Sequence, residues 1–307
     1  MDLYVRANGF WDAHKTEGIK MKRNLLKEIE NRMPSFSKGQ KLIANYIVEH
    51  YEKAAYMTAA KLGSLVSVSE STVVRFAIEL GFGGYPEFQH ALQDLVRTRL
   101  TSFQRLEVAD NRIGDGDLLS SVLLADAEKI RQTLDGIDRE SFDGAVRDIV
   151  GARTIYIVGA RSAAYLAGFL DHNLRMVFDN VKLIKTTSGS EIFEDIMNIG
   201  EDDVLIAVSF PRYSKRVINA VDYAKHMGAK VVTITDSAQS PIAPQASRLL
   251  IARSDMASFV DSLVAPLSII NAIAVSVARM KKEELSVRLR RLEEIWDEYD
   301  VYDKTHG

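Results

Sequence analysis

The chain has 307 residues, and its 39 lysines and arginines against 42 aspartates and glutamates give a formal net charge of −3. This length exceeds that of a usual single domain, so two domains with separate cores are expected. The absence of cysteine excludes a disulfide framework, a thiolate metal site and a cysteine nucleophile. The first 20 residues are polar and lack the apolar core of a signal peptide, so we expect a cytoplasmic protein.

Residues 22–105 are predicted to form an all-helical domain. From residue 34 onward, apolar side chains recur at spacings of three and four, as at Leu42, Ile43 and Tyr46. The same segment holds twelve basic side chains against eight carboxylates. This balance permits nucleic-acid binding without establishing it.

A linker is predicted at residues 106–118, because Glu107–Asp117 is rich in turn formers and too polar to be buried. Beyond it, residues 119–303 alternate short apolar runs with helix-length segments. The runs are Thr154–Val158, Val181–Ile184, Val204–Val208, Val231–Ile234 and Leu249–Ile251. Such runs imply parallel strands joined by crossovers and covered on both faces. We therefore predict an α/β domain with a parallel sheet. It ends in a buried helix at Phe259–Ala278, too polar for a membrane span, and a charged helical segment at Lys281–Asp303.

The segment Thr58–Gly81 has the pattern of two short helices joined by a tight turn. Thr58 and Ser69 are suitable N-caps, and Gly81 can take the left-handed conformation that ends the second helix. We expect Val68 to be buried in the turn. An apolar stripe at helical spacing would bury one face of the second helix, through Val73, Phe76, Ala77 and Leu80.

The opposite face of the second helix is short and polar near its N-terminus, the end that a helix-turn-helix inserts into the major groove of DNA. The candidate DNA-binding side chains are Ser69, Ser71, Thr72, Arg75, Lys61 and Lys38. Hydroxyls can donate to phosphates or base edges, and an arginine can bond two acceptors of guanine. A plain helical hairpin, in which the serines only cap and Arg75 is solvated, fits the same spacing.

The string SESTVVRFAIELGFGGYPEF, Ser69–Phe88, closely resembles the recognition-helix signature of the RpiR family of bacterial transcriptional regulators. The resemblance covers about Ile29–Arg105. It implies that Ser69–Leu80 is the recognition helix and that Phe82–Phe88 leads into a further packing helix. Gly63 departs from the family, in which such helices often carry alanine, and we expect it to loosen the first helix slightly.

Small residues follow the first predicted strand and precede a predicted helix at Ala163–Phe169. Gly159 and Ala160 allow close backbone approach, Ser162 offers a hydroxyl, and a helix N-terminus favours phosphate. No second glycine precedes the helix, so the spacing is not that of a dinucleotide fingerprint. An ordinary tight turn after a strand fits these residues as well.

A second candidate loop follows the strand at Val204–Val208 and precedes a predicted helix at Lys215–Met227. Its candidate ligand-binding side chains are Ser209, Arg212, Tyr213 and Ser214. A third strand end leads to Ser240-Pro241. Ligands of open parallel sheets bind beyond the carboxyl ends of the strands, so these loops are expected to share one site.

This succession, over about Ala127–Ala278, resembles the SIS (sugar isomerase) domain, the phosphosugar-binding fold that follows the DNA-binding domain in the RpiR family. The resemblance implies that Ser162, Ser209 and Ser214 are hydroxyl positions of the ligand site. Many SIS domains have Ser-Gly where this chain has Pro211-Arg212, which removes a hydroxyl and adds a cation. Arg212 is then either a partner for an acidic group of the ligand or a surface charge.

The resemblance implies a DNA-binding regulator of carbohydrate metabolism that is controlled by a phosphorylated sugar. We expect a homo-oligomer, a dimer or a tetramer, on double-stranded DNA with inverted half-sites, without cofactor, metal or membrane. The alternative is a sugar-phosphate isomerase, whose proton transfer needs a positioned base. The candidate bases are His172, Glu191, Glu194 and His226. None is placed by the sequence as a base, so catalysis is not expected.

Overall fold

The computed structural model describes residues 25–99, 117–185, 188–254 and 261–302. The chain divides into two compact units, Met1–Asn111 and Arg112–Gly307. This division falls within the predicted linker at 106–118, most of which lies outside the described residues, as do 22–24, 100–105 and 303 of the predicted domains.

The predicted linker extends two residues too far. Asp117 and Leu118 belong to the first helix of the second unit, which begins at Leu118. The Asp117 carboxylate caps this helix by accepting a hydrogen bond from the Ser120 N–H at 3.2 Å. An aspartate that looks like a turn former in sequence is therefore a helix N-cap.

Over its described residues, 25–99, the first unit is all helical, as its periodicity predicts. Its elements are α1 (Leu25–Arg32), a 3-10 turn (Met33–Ser35), α2 (Lys38–Ala54), α3 (Ala59–Leu65), α4 (Glu70–Glu79) and α5 (Tyr85–Arg99). At the centre of one apolar core, Phe76 of α4 packs edge-on against Phe36 and Phe88, with ring centroids 5.1 and 5.8 Å away. Helices this short are marginal alone, so this shared core stabilises them.

Side chains of α5 hold the loop between α2 and α3. The Tyr85 hydroxyl and the Gln89 amide both donate to the Met57 carbonyl oxygen, at 2.8 and 2.7 Å. Gln93 donates to the Ala55 carbonyl oxygen at 3.0 Å. Burial raises the pKa of Tyr85 to about 12, because the charged form of the phenol is disfavoured away from water.

The second unit is α/β. Its elements are α6 (Leu118–Gly136), α7 (Arg139–Val150), β1 (Ile155–Gly159), α8 (Ser162–Arg175), β2 (Val181–Ile184), α9 (Gly189–Ile196), β3 (Val204–Val208), α10 (Lys215–His226), β4 (Lys230–Thr235), β5 (Arg248–Ile251), α11 (Val264–Met280) and α12 (Lys282–Glu298). All five predicted strands are present, each within one residue of its predicted ends. The signal is clearest for the central strands β1 and β3, because a strand that is buried along its whole length is a continuous apolar run.

The five strands form one parallel sheet in the order β2-β1-β3-β4-β5. Helices α7, α8 and α11 pack on one face, and α9 and α10 pack on the other. The chain passes outward from β1 to β2 and then returns to β3 on the other side of β1. The connections after β1 and β3 therefore diverge to opposite faces, which leaves a crevice between the carboxyl ends of these strands.

The apolar segment predicted at Phe259–Ala278 forms α11, which begins later, at Val264; residues 255–260 lie outside the described part of the chain. Its buried side chains are Ala265, Pro266, Ile269, Ile270, Ile273 and Val277. Among the helices of the described residues, none by itself combines the length and the apolar composition of a membrane span. Helices α11 and α12 meet that criterion only as a pair, which is bent by 97° at the break.

An ion pair between an exposed arginine and a buried aspartate lies at the amino-terminal ends of β1 and β3. Arg153 donates from Nε and Nη2 to the two carboxylate oxygens of Asp203, at 3.0 and 2.6 Å, and the Gly200 N–H donates to the same carboxylate at 2.9 Å. Burial by itself would raise the pKa of Asp203, but these hydrogen bonds outweigh it and hold the pKa below its usual value.

Replacing Arg153 with alanine is expected to lower the free energy of unfolding by about 1–3 kcal/mol at pH 7, because the buried carboxylate loses two hydrogen bonds. Arg153 is largely exposed, so solvent screening places the loss in the lower part of that range. The lowered folded-state pKa of Asp203 stabilises the chain at neutral pH, and this contribution disappears as the pH falls through that pKa.

The difference in the free energy of unfolding between the parent and Arg153→Ala should therefore be smaller in acid. Urea unfolding of both proteins at pH 7 and at about pH 3 measures this difference. Arg147→Ala, at an exposed position of α7, is the matched control. A difference that stays constant with pH would contradict the role of the Asp203 carboxylate.

Candidate functional sites

The joint between α3 and α4 is tight because of Gly63. The Val68 N–H donates to the Gly63 carbonyl oxygen at 2.9 Å, and Ser67 adopts the left-handed region with a φ of 58°. A Cβ atom on Gly63 would lie 2.8 Å from the Val68 carbonyl oxygen. Gly63 therefore allows the turn to approach α3 closely, a role that the sequence alone did not indicate.

The predicted caps of the two helices are present. The Thr58 hydroxyl accepts from the Lys61 N–H at 3.2 Å, and the Ser69 hydroxyl accepts from the Thr72 N–H at 3.3 Å. Gly81 ends the second helix with a φ of 90°. The predicted apolar stripe is buried at Val73, Phe76, Ala77 and Leu80. Val68, expected to be buried, is only half-buried, because it lies at the edge of the core.

Four of the candidate DNA-binding residues form one polar surface at the N-terminus of α4. The Ser69 hydroxyl lies 2.9 Å from that of Ser71 and 2.8 Å from that of Thr72. Arg75 folds back along the helix, and its Nε donates to the Ser71 carbonyl oxygen at 3.2 Å. Ser69, Ser71 and Arg75 are exposed and Thr72 is half-buried. The guanidinium is thus held beside the hydroxyls at the helix end expected to enter the groove.

The two candidate lysines lie on other helices. A Cβ atom on Gly39 would be 3.4 Å from a Val68 methyl and 3.5 Å from the Thr72 methyl, so the start of α2 packs against the start of α4. Lys38, exposed and adjacent to Gly39, is therefore close to the polar surface. Lys61 is exposed in the first turn of α3, before the joint.

The C-terminal end of α4 is anchored by residues that the sequence reasoning missed. Arg32 donates to the Glu79 carbonyl oxygen at 2.7 Å, and the Gln40 amide donates to the Glu79 carboxylate. Gln40 also accepts from the Ser37 N–H at 2.9 Å in a capping box. The Ser-x-x-Gln spacing is the sequence pattern that predicts this capping box.

The candidate ligand site lies where the strand order reverses. Gly159, the last residue of β1, is in register with Val208, the last residue of β3. The Ser209 N–H then donates to the Ile234 carbonyl oxygen of β4 at 3.1 Å. The ends of three neighbouring strands are thus aligned, and the two candidate loops leave the sheet side by side.

The loop after β1 is short and depends on its glycine. A Cβ atom on Gly159 would lie 2.4 Å from the Ala163 carbonyl oxygen, so only glycine allows α8 to begin this close to the strand. Arg161 is exposed and has a φ of 58°. Helix α8 begins at Ser162, one residue before the predicted start, and places its exposed hydroxyl beside the first N–H groups of the helix. Such N–H groups have no partner within the helix and attract anions.

The loop after β3 is partly fixed to the end of β4. Ser209 is buried, Arg212 is exposed, and Ser214 is the N-cap of α10 without a side-chain capping bond. The Tyr213 hydroxyl donates to Oδ1 of Asp236 at 2.8 Å. Asp236 is buried, and the sequence reasoning did not select it. Its position directly after an apolar strand is the signal that could have found it.

The candidate bases of the isomerase alternative are not gathered at this site. His172 lies in the last turn of α8 and His226 in the last turn of α10, which are the helix ends remote from the carboxyl ends of the strands. Glu191 and Glu194 lie exposed on α9, after the edge strand β2. Across the described residues, no group of three or more histidine and carboxylate side chains is arranged to hold a metal ion.

Comparison with known proteins agrees with this architecture. Residues 23–98 match the family model "Helix-turn-helix domain, rpiR family", and residues 148–276 match that of the SIS domain. Together the two matches cover more than half of the chain. The chain belongs to the RpiR family.

The relatives of this RpiR-family chain are named as regulators. It is 24% identical over 278 residues to the HTH-type transcriptional regulator HexR of Pseudomonas aeruginosa. The aligned region covers 89% of this chain and 95% of that protein. An uncharacterized HTH-type transcriptional regulator of Clostridium perfringens is 24% identical over 220 residues, with 71% of this chain and 77% of that protein covered. The relatives therefore share both units.

Two solved structures share the fold. The sugar isomerase domain of an RpiR transcription factor from Sphaerobacter thermophilus is 27% identical, with a TM-score of 0.56 over 58% of this chain and 99% of that chain. NanR of Vibrio vulnificus, solved in complex with ManNAc-6P, is 22% identical, with a TM-score of 0.57 over 90% of this chain and 99% of that chain.

Replacing Gly63 with alanine is expected to destabilise the helical unit by about 1–3 kcal/mol, because the added Cβ would collide with the backbone of the turn. Urea unfolding followed by circular dichroism measures the loss. The matched control is Gly168→Ala in α8, where an added Cβ has no neighbour within 4 Å. That variant should be as stable as the parent or up to about 1 kcal/mol more stable. Equal stability of Gly63→Ala and the parent would contradict the close approach.

Proposed function

We propose that this RpiR-family protein is a transcriptional regulator whose affinity for DNA is controlled by a phosphorylated sugar. One observation carries the proposal: a single chain combines an exposed polar surface at the N-terminus of α4 with a loop pair at the switch point of a parallel sheet. The first feature suits the major groove, and the second suits a small anionic ligand. The names of the relatives, HexR among them, support the regulatory part.

The DNA-binding part follows from the exposed residues of α4. A guanidinium held at the helix N-terminus can donate to O6 and N7 of guanine, and the serine hydroxyls beside it can donate to phosphates. One short helix reads too few base pairs for genomic specificity. We therefore infer a homo-oligomer on inverted half-sites, in the cytoplasm, where bacterial DNA lies.

The sensing part follows from the loops after β1 and β3. The N-terminal N–H groups of α8, the Ser162 hydroxyl and the loop that holds Ser209 and Ser214 form a cradle for a phosphate. The exposed Arg212 lies in the same loop, and a guanidinium can pair with a phosphate or with a second acidic group of the sugar. NanR, which shares the fold, was solved with a phosphorylated sugar, and this supports the ligand class. Ligand binding would shift the population between forms that differ in DNA affinity.

Replacing Arg75 with alanine is expected to weaken binding to the preferred DNA site by about 1–3 kcal/mol, roughly five- to 150-fold, if its guanidinium contacts a base. Fluorescence anisotropy with the labelled site at fixed salt measures the loss. Lys53→Ala removes the same charge from an exposed position at the end of α2 and is the control. Unchanged affinity of Arg75→Ala for that site would refute the base contact.

A phosphorylated sugar is expected to raise the melting temperature of the protein, whereas its unphosphorylated parent is not. Ligand at one hundred times its dissociation constant adds about 2.7 kcal/mol to the free energy of unfolding, enough for a clear shift in a panel of compounds. Ser162→Ala should reduce the shift and leave DNA binding intact, and Ser286→Ala on α12 should change neither.

Three outcomes would contradict the sensing part. A shift that survives in Ser162→Ala would show that the phosphate loop is misassigned. The absence of a shift with every compound would remove the proposed ligand class. Conversion of the sugar phosphate during incubation would revive the isomerase alternative, and His172→Ala and Glu191→Gln would then identify the base.

A further inference from the structure

Asp236 is a buried carboxylate directly after β4, at the edge of the sheet that carries the candidate ligand site. It is only 4% exposed. Its Oδ1 accepts a hydrogen bond from the Tyr213 hydroxyl at 2.8 Å and another from the Thr235 hydroxyl at 3.2 Å. Burial of a carboxylate costs free energy, which hydrogen bonds of this kind offset. The side chain of Asp236 is therefore held in one orientation, with Oδ1 bonded to the loop after β3.

The end of β4 that precedes Asp236 is held by the chain on both sides. The Ser209 N–H, just after β3, donates to the Ile234 carbonyl oxygen at 3.1 Å. The Ala252 N–H, just after β5, donates to the Thr235 carbonyl oxygen at 2.8 Å. Because both neighbours fix the backbone here, Asp236 is a well-placed acceptor for a loop that leaves the adjacent strand.

The loop after β3 is fixed at two points, and its exposed cation lies between them. Phe210 is buried in the core on the α8 face of the sheet, and Tyr213 is bonded to Asp236. Arg212 is exposed, and Ser214 is the N-cap of α10 without a side-chain capping bond. The hydrogen bond to Asp236 thus holds the part of the loop that leads directly into α10.

The position of this loop affects how tightly a ligand binds. The Ser214 hydroxyl belongs to the phosphate cradle of the proposed function, and Tyr213 directly precedes it. A ligand that fits one arrangement of a loop binds more weakly when that arrangement is less populated. A hydrogen bond to a charged acceptor is strong enough to change such a population by about tenfold.

We propose that Asp236 is a positioning residue of the ligand site: through the Tyr213 hydroxyl, it holds the loop after β3 in the arrangement that binds phosphate. This inference rests on the proposed function and names the residue that pre-organises its second loop. Because a carboxylate and a phosphate repel each other, Asp236 acts through Tyr213 and not by direct contact with the phosphate.

The test measures the binding of two probes, inorganic phosphate and glucose 6-phosphate, from the rise in melting temperature with probe concentration. Tyr213→Phe removes only the hydroxyl and should raise the dissociation constant by up to about tenfold. Asp236→Ala should raise it by a similar factor. The double variant should bind no more weakly than either single variant, because all three lack the same interaction.

Two further variants control for charge and for the loss of a tyrosine hydroxyl. Asp236→Asn removes the charge but keeps an acceptor oxygen, so it should bind both probes nearly as tightly as the parent. Tyr223→Phe is the matched control in the last turn of α10, where the hydroxyl donates to the Met197 carbonyl oxygen at 3.3 Å. It should bind both probes like the parent.

Hydrogen–deuterium exchange of the unliganded protein separates positioning from general stability. The amides between Ser209 and Ile218 should exchange faster in Tyr213→Phe and in Asp236→Ala than in the parent. The amides of β1 should exchange at the rate of the parent, because the change is confined to the loop and the start of α10.

The outcomes separate this proposal from the proposed function. Equal affinity of Tyr213→Phe and the parent would overturn the positioning role and leave the phosphate cradle intact. Weaker binding of Asp236→Ala with unchanged exchange of the loop, or additive losses in the double variant, would also overturn it, because Asp236 would then act without Tyr213. A parent that binds neither probe would overturn the phosphate cradle itself, and the positioning role with it.

Discussion

The first N–H groups of a helix have no hydrogen-bond partner within that helix, and both candidate sites of this protein are built on that constraint. In the helical unit, Ser69 satisfies one such group at the start of α4, and the exposed hydroxyls beside it are at the same helix end. In the α/β unit, α8 begins with no side-chain cap at all. One helix end is capped by a side chain, whereas the other has no side-chain cap.

Close backbone approach is the second requirement that the two sites share. Gly63 allows the turn to close against α3, and Gly159 allows α8 to begin against the end of β1. In both places the nearest neighbour of an added Cβ atom would be a backbone carbonyl oxygen, which cannot rotate away as a side chain can. Each glycine therefore fixes the direction in which the next helix leaves, and with it the position of the side chains at that helix's start.

Much of the fold was predictable because its signals are local. Five short apolar runs located the strands within one residue. The central strands β1 and β3 are buried along their whole length, so they need no alternation of apolar and polar residues. The caps Thr58 and Ser69 were predictable because a hydroxyl bonds an N–H only three residues away. The effect of Gly63 was not, because its steric partner is the carbonyl of a turn whose path depends on both helices.

The sequence by itself determined the two-unit organisation, the strands, the polar start of α4 and the small residues after β1, because each depends on neighbours within a few positions. Only the tertiary structure decided the strand order, which places the loop after β1 beside the loop after β3. It also joined Tyr213 to Asp236, which are 23 residues apart, and buried the polar side of α6 while leaving its leucines exposed. These features depend on which surfaces meet, and periodicity shows that a helix has an apolar side without showing what covers it.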